Sequence, residues 1–137
     1  MKHGRALLIA IIAFIGLFDA LFLSLERNSP IPCHITSGCN TVLTSQYSAV
    51  ASIPIAWFGF AFYILVFSLA IFELMGTAKS LQLVFWPATA AFAVSAGLMG
   101  IQTYILKAYC EYCLLSASLV SMIFLLSIRP WLNRHEQ

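Results

Sequence analysis

The sequence predicts an all-α integral membrane protein, a bundle of four transmembrane helices, and three observations support this. Of its 137 residues, 61% are hydrophobic and 9% are charged, so a water-soluble fold would expose too much apolar surface. Four apolar runs reach the roughly 20 residues that a helix needs to cross the hydrocarbon core. Backbone polar groups in lipid must be satisfied within the segment, which makes each run a helix. The runs are Ala6–Leu25, Ile53–Met75, Leu81–Leu106 and Ala108–Ile128, and we expect residues 1–137 to form one domain.

The first run follows a basic N-terminus and must therefore be compared with a secretory signal peptide. The apolar core of a cleavable signal spans about 7–15 residues and ends at small residues. This run is longer and continues into Leu25-Glu26-Arg27 without a small-residue cleavage site. We expect it to be retained as the first transmembrane helix.

Basic residues are distributed unevenly between the two sides of the predicted bundle. Four crossings place both termini and the turn between the second and third helices on one side. That side is the more basic one, so the positive-inside rule places it in the cytosol. The long loop Glu26–Ser52 and the turn Lys107–Cys110 then face outward, to a periplasm, a cell exterior or an ER lumen. The cytosolic basic residues are Lys2, Arg5, Lys79, Arg129 and Arg134, against Arg27 and Lys107 outside.

All four cysteines fall on the predicted outer side, in two pairs. Cys33 and Cys39 lie in the long loop, where Gly38 gives the backbone freedom to bring the two sulfurs within bonding distance. Cys110 and Cys113 are three residues apart and share one helix face. The outer compartments permit disulfides. Two such pairs at one membrane surface are the minimum required to pass two electrons from a soluble thiol to an acceptor dissolved in lipid.

The second pair is expected at the start of the fourth helix. If this helix begins near Tyr109, Cys110 lies in its first turn, where free N–H groups and the helix dipole stabilise a thiolate. Cys113 then lies about 4.5 Å deeper, so that one sulfur meets water and the other approaches lipid. Two other interpretations remain open. One is purely structural disulfides, and the other is a zinc site made by the four cysteines, although the five residues of C-x5-C exceed the usual two to four between zinc ligands.

The order of these motifs resembles the vitamin K epoxide reductase family, in particular its bacterial single-domain members. The resemblance covers nearly the whole chain. The motif order distinguishes it from the unrelated DsbB-type oxidoreductases, which carry their CxxC in the first outer loop and not on the last helix. Its motifs are the C-x5-C of Cys33 and Cys39, the segment 40–48, Ile53-Pro54 followed by Trp57-Phe58-Gly59, and Cys110-x-x-Cys113.

This resemblance implies roles for the cysteines and for a quinone, either ubiquinone or menaquinone. Cys110 and Cys113 would be the catalytic redox pair, with Cys113 facing the quinone ring. Cys33 and Cys39 would exchange with a separate thioredoxin-like (DsbA-like) protein. The residues expected near the quinone are Ser45, Tyr47, Phe58 and Phe62.

Two positions depart from the eukaryotic members of that family. Those members have an asparagine that contacts vitamin K where this chain has Ile55, and a tyrosine where it has Ala117. The departures favour reoxidation of an extracytoplasmic thioredoxin-like protein over the alternative, a vitamin K quinone or epoxide reductase in an ER membrane. A further alternative is not an enzyme: a small transporter or assembly subunit with two structural disulfides.

Three other residues lie inside apolar runs and invite an explanation. Asp19 is the only acidic residue well inside a run, and an intramembrane carboxylate is a functional candidate. Both proton transfer and snorkelling to the interface are open for it. Gly97 and Gly100 are expected to permit close helix packing.

Overall fold

A computed structural model describes residues 2–26, 38, 41, 46, 49–50, 52–77 and 79–136. Most of these residues are helical, and a pair of two-residue antiparallel strands precedes the second long helix. The elements are α1 (Lys2–Leu25), β1 (Ala49–Val50), β2 (Ile53–Pro54), α2 (Ile55–Leu74), α3 (Ser80–Leu83), α4 (Phe85–Gly100), a π-helical segment (Ile101–Leu106) and α5 (Glu111–His135).

Long apolar helices confirm the prediction of an all-α membrane bundle. Within the described residues, four helices are long and apolar enough to cross a membrane. The third of them is composite, since it joins α3, α4 and the π-helical segment. The chain is therefore an integral membrane protein. The four spans are His3–Leu25, Ile55–Leu74, Ser80–Leu106 and Glu111–Asn133.

The helices pack as a bundle that is open on one side. α1 packs against both α2 and α5, and α5 packs against α4, whereas α2 and α4 hardly touch. α1 and α2 approach closely at Gly16 of α1, where a Cβ would collide with the ring of Tyr63 on α2. The packing role expected of Gly97 and Gly100 is wrong for the described part of the chain, where a Cβ at either position would meet nothing within 4 Å.

The turn before α5 differs from the expectation in a way that matters for the site. Lys107 adopts a left-handed conformation with φ 51° and ends the π-helical segment. The backbone of Cys110 is extended, with φ −105° and ψ 119°, so α5 begins at Glu111 rather than near Tyr109. Cys110 is consequently the N-cap residue of α5 and not part of its first turn.

Candidate active site

Cys110 is enclosed at the point where α1 meets the start of α5. Its exposed fraction is 0%, and it forms a buried cluster with Leu23 of α1, against which Leu106 of the π-helical segment packs. This corrects the expectation that Cys110 meets water directly. Cys113, one turn further along α5, is half-buried, and both cysteines are free thiols. The two sulfurs therefore differ in surroundings, as expected, but the more enclosed one is Cys110.

Gln102 holds the backbone in front of Cys110. Its side-chain oxygen Oε1 accepts a hydrogen bond from the N–H of Cys110 at 3.2 Å, and its carbonyl oxygen accepts one from the N–H of Ala108, also at 3.2 Å. Gln102 is 3% exposed. It lies in the π-helical segment, whose wider turn changes the direction of the side chains that follow Gly100. This buried amide thereby sets where the N-terminus of α5 begins.

The surroundings of Cys110 favour its thiolate. The pKa of Cys110 is lowered from 9.0 to about 7, mainly because the thiol of Cys113 donates a hydrogen bond to its sulfur. Burial opposes this lowering, and the nearby N–H groups of Cys113 and Tyr112 add to it. The charge of Asp19 raises the pKa slightly. A large fraction of Cys110 is thus ionised near neutral pH, which is the state that attacks disulfides.

An apolar cavity of about 490 Å³ lies in the opening between α2 and α4. Its volume is within the range of small-molecule sites, and Cys113 is on its wall. Phe58 and Phe62, both expected near a quinone, also line it, as do Ile55 and Ala117. The cavity therefore extends from Cys113 to the outside of the bundle, which faces lipid.

Few polar groups line this cavity, and two of them are linked. The hydroxyl of Tyr63 on α2 hydrogen bonds with the hydroxyl of Ser116 on α5 at 2.8 Å and donates to its carbonyl oxygen at 3.1 Å. Ser116 is three residues after Cys113 and shares its helix face. Gln102 is a further polar residue on the wall. The cavity is thus hydrophobic, with hydrogen-bonding groups near the cysteine.

Gly38, a residue of the long loop, lies directly against the backbone that precedes Cys110. A Cβ at Gly38 would lie 2.7 Å from both the N and the O atoms of Tyr109, and 2.9 Å from the Cβ of Ala108. The φ of Gly38 is not in the left-handed region, so glycine is required here for close approach rather than for an unusual backbone conformation. In the sequence Gly38 directly precedes Cys39, just as Tyr109 directly precedes Cys110.

Four of the expected site residues lie outside the described residues: Cys33, Cys39, Ser45 and Tyr47. The structure brings together the other four, with Cys110 and Cys113 at the cavity end of α5 and Phe58 and Phe62 on α2. Gln102, Tyr63 and Ser116 were missed by the sequence analysis. Gln102 is an amide inside an apolar run eight residues before Cys110, which was a usable signal; Ser116 and Tyr63 had none beyond spacing.

These features define a class: a membrane protein of four helices with a thiolate-forming cysteine pair beside a cavity open to lipid. Comparison with known families agrees, since the model of the vitamin K epoxide reductase family matches residues 7–128, most of the chain. The chain belongs to the vitamin K epoxide reductase family. No curated protein gives a match to it.

Membership establishes the coarse function. The protein is a membrane redox enzyme that acts on quinones and disulfides, and its family works with quinones and thioredoxin-like partners as electron carriers. The particular reaction direction, acceptor and partner require an argument from the site.

Proposed function

We propose that this protein is a thiol:quinone oxidoreductase that reoxidises an extracytoplasmic thioredoxin-like protein and passes the electrons to a membrane quinone, which drives disulfide formation. One observation carries the proposal: Cys113 is on the wall of an apolar cavity between α2 and α4 while its partner Cys110 is stabilised as a thiolate. A dithiol in this position can transfer two electrons to a molecule that enters from lipid.

The two electrons come from the cysteines alone and go directly to the acceptor. The Cys110 thiolate attacks the Cys113 sulfur as that sulfur gives up two electrons, and the Cys110–Cys113 disulfide forms. Two electrons leave the pair together with the proton of the Cys113 thiol, and the quinone takes these and one proton from water to become quinol. The redox chemistry of this last step is supplied by the quinone itself.

Electrons reach this pair through the loop cysteines. The dithiol of the partner, a separate thioredoxin-like protein of the DsbA type, attacks the Cys33–Cys39 disulfide and becomes oxidised. A loop thiolate then attacks the Cys110–Cys113 disulfide and regenerates the free pair. Each step is an exchange in which one S–S bond forms and one breaks. The contact of Gly38 with Tyr109 supports this route, because it joins the sequence neighbours of Cys39 and Cys110.

The cavity wall favours a quinone over vitamin K epoxide. Phe58 and Phe62 supply aromatic surface for a flat ring, whereas the wall positions of Ile55 and Ala117 carry no hydrogen-bonding side chain. Eukaryotic relatives have asparagine and tyrosine at these two positions. Ubiquinone and menaquinone both suit a wall of this composition, and Ser45 and Tyr47 would complete it.

The membrane orientation follows from the basic residues. Five of the seven basic residues belong to the termini and the turn after α2, which supports cytosolic termini in a bacterial inner or plasma membrane. The cysteines then face the periplasm or cell exterior, where disulfides persist. Thiol labelling of intact cells with a membrane-impermeant reagent, after reduction, should reach Cys33 and Cys39 from outside, and labelling only from the cytosolic side would contradict this orientation.

The decisive experiment is quinone reduction by the purified protein. With a reduced thioredoxin-like protein as donor, the wild type should reduce ubiquinone or menaquinone analogues and should not turn over vitamin K epoxide. Cys113→Ser should abolish this activity and preserve the fold, because serine is nearly isosteric but forms no disulfide. Epoxide turnover would support the vitamin K alternative. If both cysteine pairs stayed oxidised at ordinary thiol potentials, the disulfides would be structural.

A further inference from the structure

Asp19 lies on the same face of α1 as two residues that contact the active site. Gly16, one turn before it, touches the ring of Tyr63, and Leu23, one turn after it, packs against Cys110. Residues three, four and seven apart share a helix face. Asp19 is therefore between the Tyr63–Ser116 pair and the Cys110–Cys113 pair, at the height of the cavity wall formed by its neighbour Ala20.

The carboxylate of Asp19 is enclosed, and its oxygen Oδ2 has no hydrogen-bond partner among the described residues. Asp19 is 8% exposed, so snorkelling to the surface is not its role, and its buried Oδ2 accepts no hydrogen bond from the described part of the chain. A buried polar atom without a partner is costly. A residue retained only for stability would be expected to have a donor, and the described neighbours do not provide one to Oδ2.

The groups that feel the charge of Asp19 include both cysteines of the redox pair. The electrostatic neighbours on the helices packed against α1 are Tyr63 of α2, and Cys110, Tyr112 and Cys113 at the start of α5. None of these carries a permanent positive charge that would pair with a carboxylate. A carboxyl group accepts a proton when ionised and donates one when protonated.

We propose that Asp19 is the residue that carries a proton between the cysteine pair and the quinone. This inference rests on the proposed function. Asp19 takes the proton of the Cys113 thiol, so that carboxylate becomes carboxylic acid and thiol becomes thiolate. As the Cys110–Cys113 disulfide forms and two electrons pass to the quinone, Asp19 returns its proton to the reduced acceptor. The second proton is taken from water, to which Cys110 released its own proton when it ionised, so the quinol carries two protons and Asp19 is restored.

The test compares Asp19→Asn with Asp19→Glu and with a control, Glu73→Gln. The control also removes a carboxylate, but at the far end of α2, where Glu73 accepts a hydrogen bond from the N–H of Leu81 at 3.1 Å. Reduced protein is mixed with a short-chain quinone, quenched with acid at intervals, and its remaining thiols are counted by maleimide labelling. Asp19→Asn should slow disulfide formation by about 100-fold, the range of a lost acid–base group. Asp19→Glu should restore much of the rate, and Glu73→Gln should behave as wild type.

A second measurement uses no quinone. The thiolate of Cys110 is titrated by its ultraviolet absorbance in the reduced protein. Because the charge of Asp19 opposes that thiolate, Asp19→Asn should move the midpoint to lower pH. More thiolate together with slower oxidation is a combination that a merely structural role does not produce.

The outcomes separate the two proposals. Oxidation of Asp19→Asn at the wild-type rate would refute the role of Asp19. An unchanged thiolate midpoint would refute it too, because it would mean that Asp19 is uncharged beside Cys110, and a neutral carboxyl cannot accept a proton. Failure of the wild-type protein to reduce any quinone would instead refute the oxidoreductase function itself.

Discussion

Replacing Gly38 with alanine should slow electron transfer from the loop cysteines to Cys110 and Cys113 without slowing transfer from that pair to the quinone. The new Cβ would lie 2.7 Å from the N and O atoms of Tyr109, closer than real side chains approach. Two of the obstructing atoms are backbone and cannot rotate away, so residue 38 itself must move away from Tyr109. Overpacking of this kind costs about 1–3 kcal/mol. At about 1.36 kcal/mol per decade, this lowers the fraction of protein with the loop in contact by up to roughly 5- to 160-fold.

The assay measures each half of the path on the same purified protein. Steady-state quinone reduction with a reduced thioredoxin-like donor requires the loop and should fall by up to that factor in Gly38→Ala. The single-turnover oxidation of prereduced Cys110 and Cys113 by a quinone does not involve exchange with the loop, and it should keep the wild-type rate.

Gly97→Ala is the matched control, because its Cβ meets nothing within 4 Å. It should leave both rates unchanged and rule out a general effect of alanine on a membrane protein. If Gly38→Ala reduced quinone with the protein donor at the wild-type rate, the contact with Tyr109 would not be the geometry in which the loop delivers electrons.

Three further predictions concern single residues of the site. Cys110 should titrate in the reduced protein with a midpoint at about pH 7, so that its thiolate is present above that pH and lost below it. Cys113→Ala removes the hydrogen bond that lowers this pKa, and it should therefore move the midpoint to higher pH. Gln102→Leu leaves the buried N–H of Cys110 without its acceptor, and it should lower stability by about 1–3 kcal/mol in thermal unfolding; Gln102→Glu, which keeps an oxygen there, should lower it less. If the hydroxyl of Ser45 donates a charge-assisted hydrogen bond of about 1.5–3 kcal/mol in the transition state, Ser45→Ala should lower turnover by roughly 10- to 150-fold. The apparent quinone affinity should change less. Unchanged turnover per folded molecule would remove Ser45 from the active site.

Much of the architecture could be predicted because a membrane limits the choices. A chain with four long apolar runs has to form four helices, since lipid offers no hydrogen bonds to an unpaired backbone. The boundaries of α1 and α2 agree with the expected runs to within a few residues at each end. The start of α5 was placed too early, because the apolar run includes Ala108 and Tyr109, whereas the left-handed Lys107 and extended Cys110 delay the helix.

The cysteine motifs likewise predicted the redox chemistry, but they did not show how the pair is enclosed. Spacing alone placed Cys110 nearer to water than Cys113. In the folded chain Leu23 and Leu106 cover Cys110, and Gly38 lies against the turn just before it. Contacts between residues this far apart in sequence depend on how the helices are arranged and leave no periodic signal.

The number of helices, the presence of two cysteine pairs and the family could all be inferred from the amino-acid sequence. Which helix faces meet became visible only in the folded chain: Asp19 toward the cysteines, Gln102 under Cys110, and Phe58 and Phe62 around a cavity between α2 and α4. This difference arises because lipid is as apolar as a protein core. An apolar residue is equally stable on the face of a membrane helix toward lipid and on the face toward other helices. Hydrophobicity therefore does not reveal the rotation of that helix, which depends on packing.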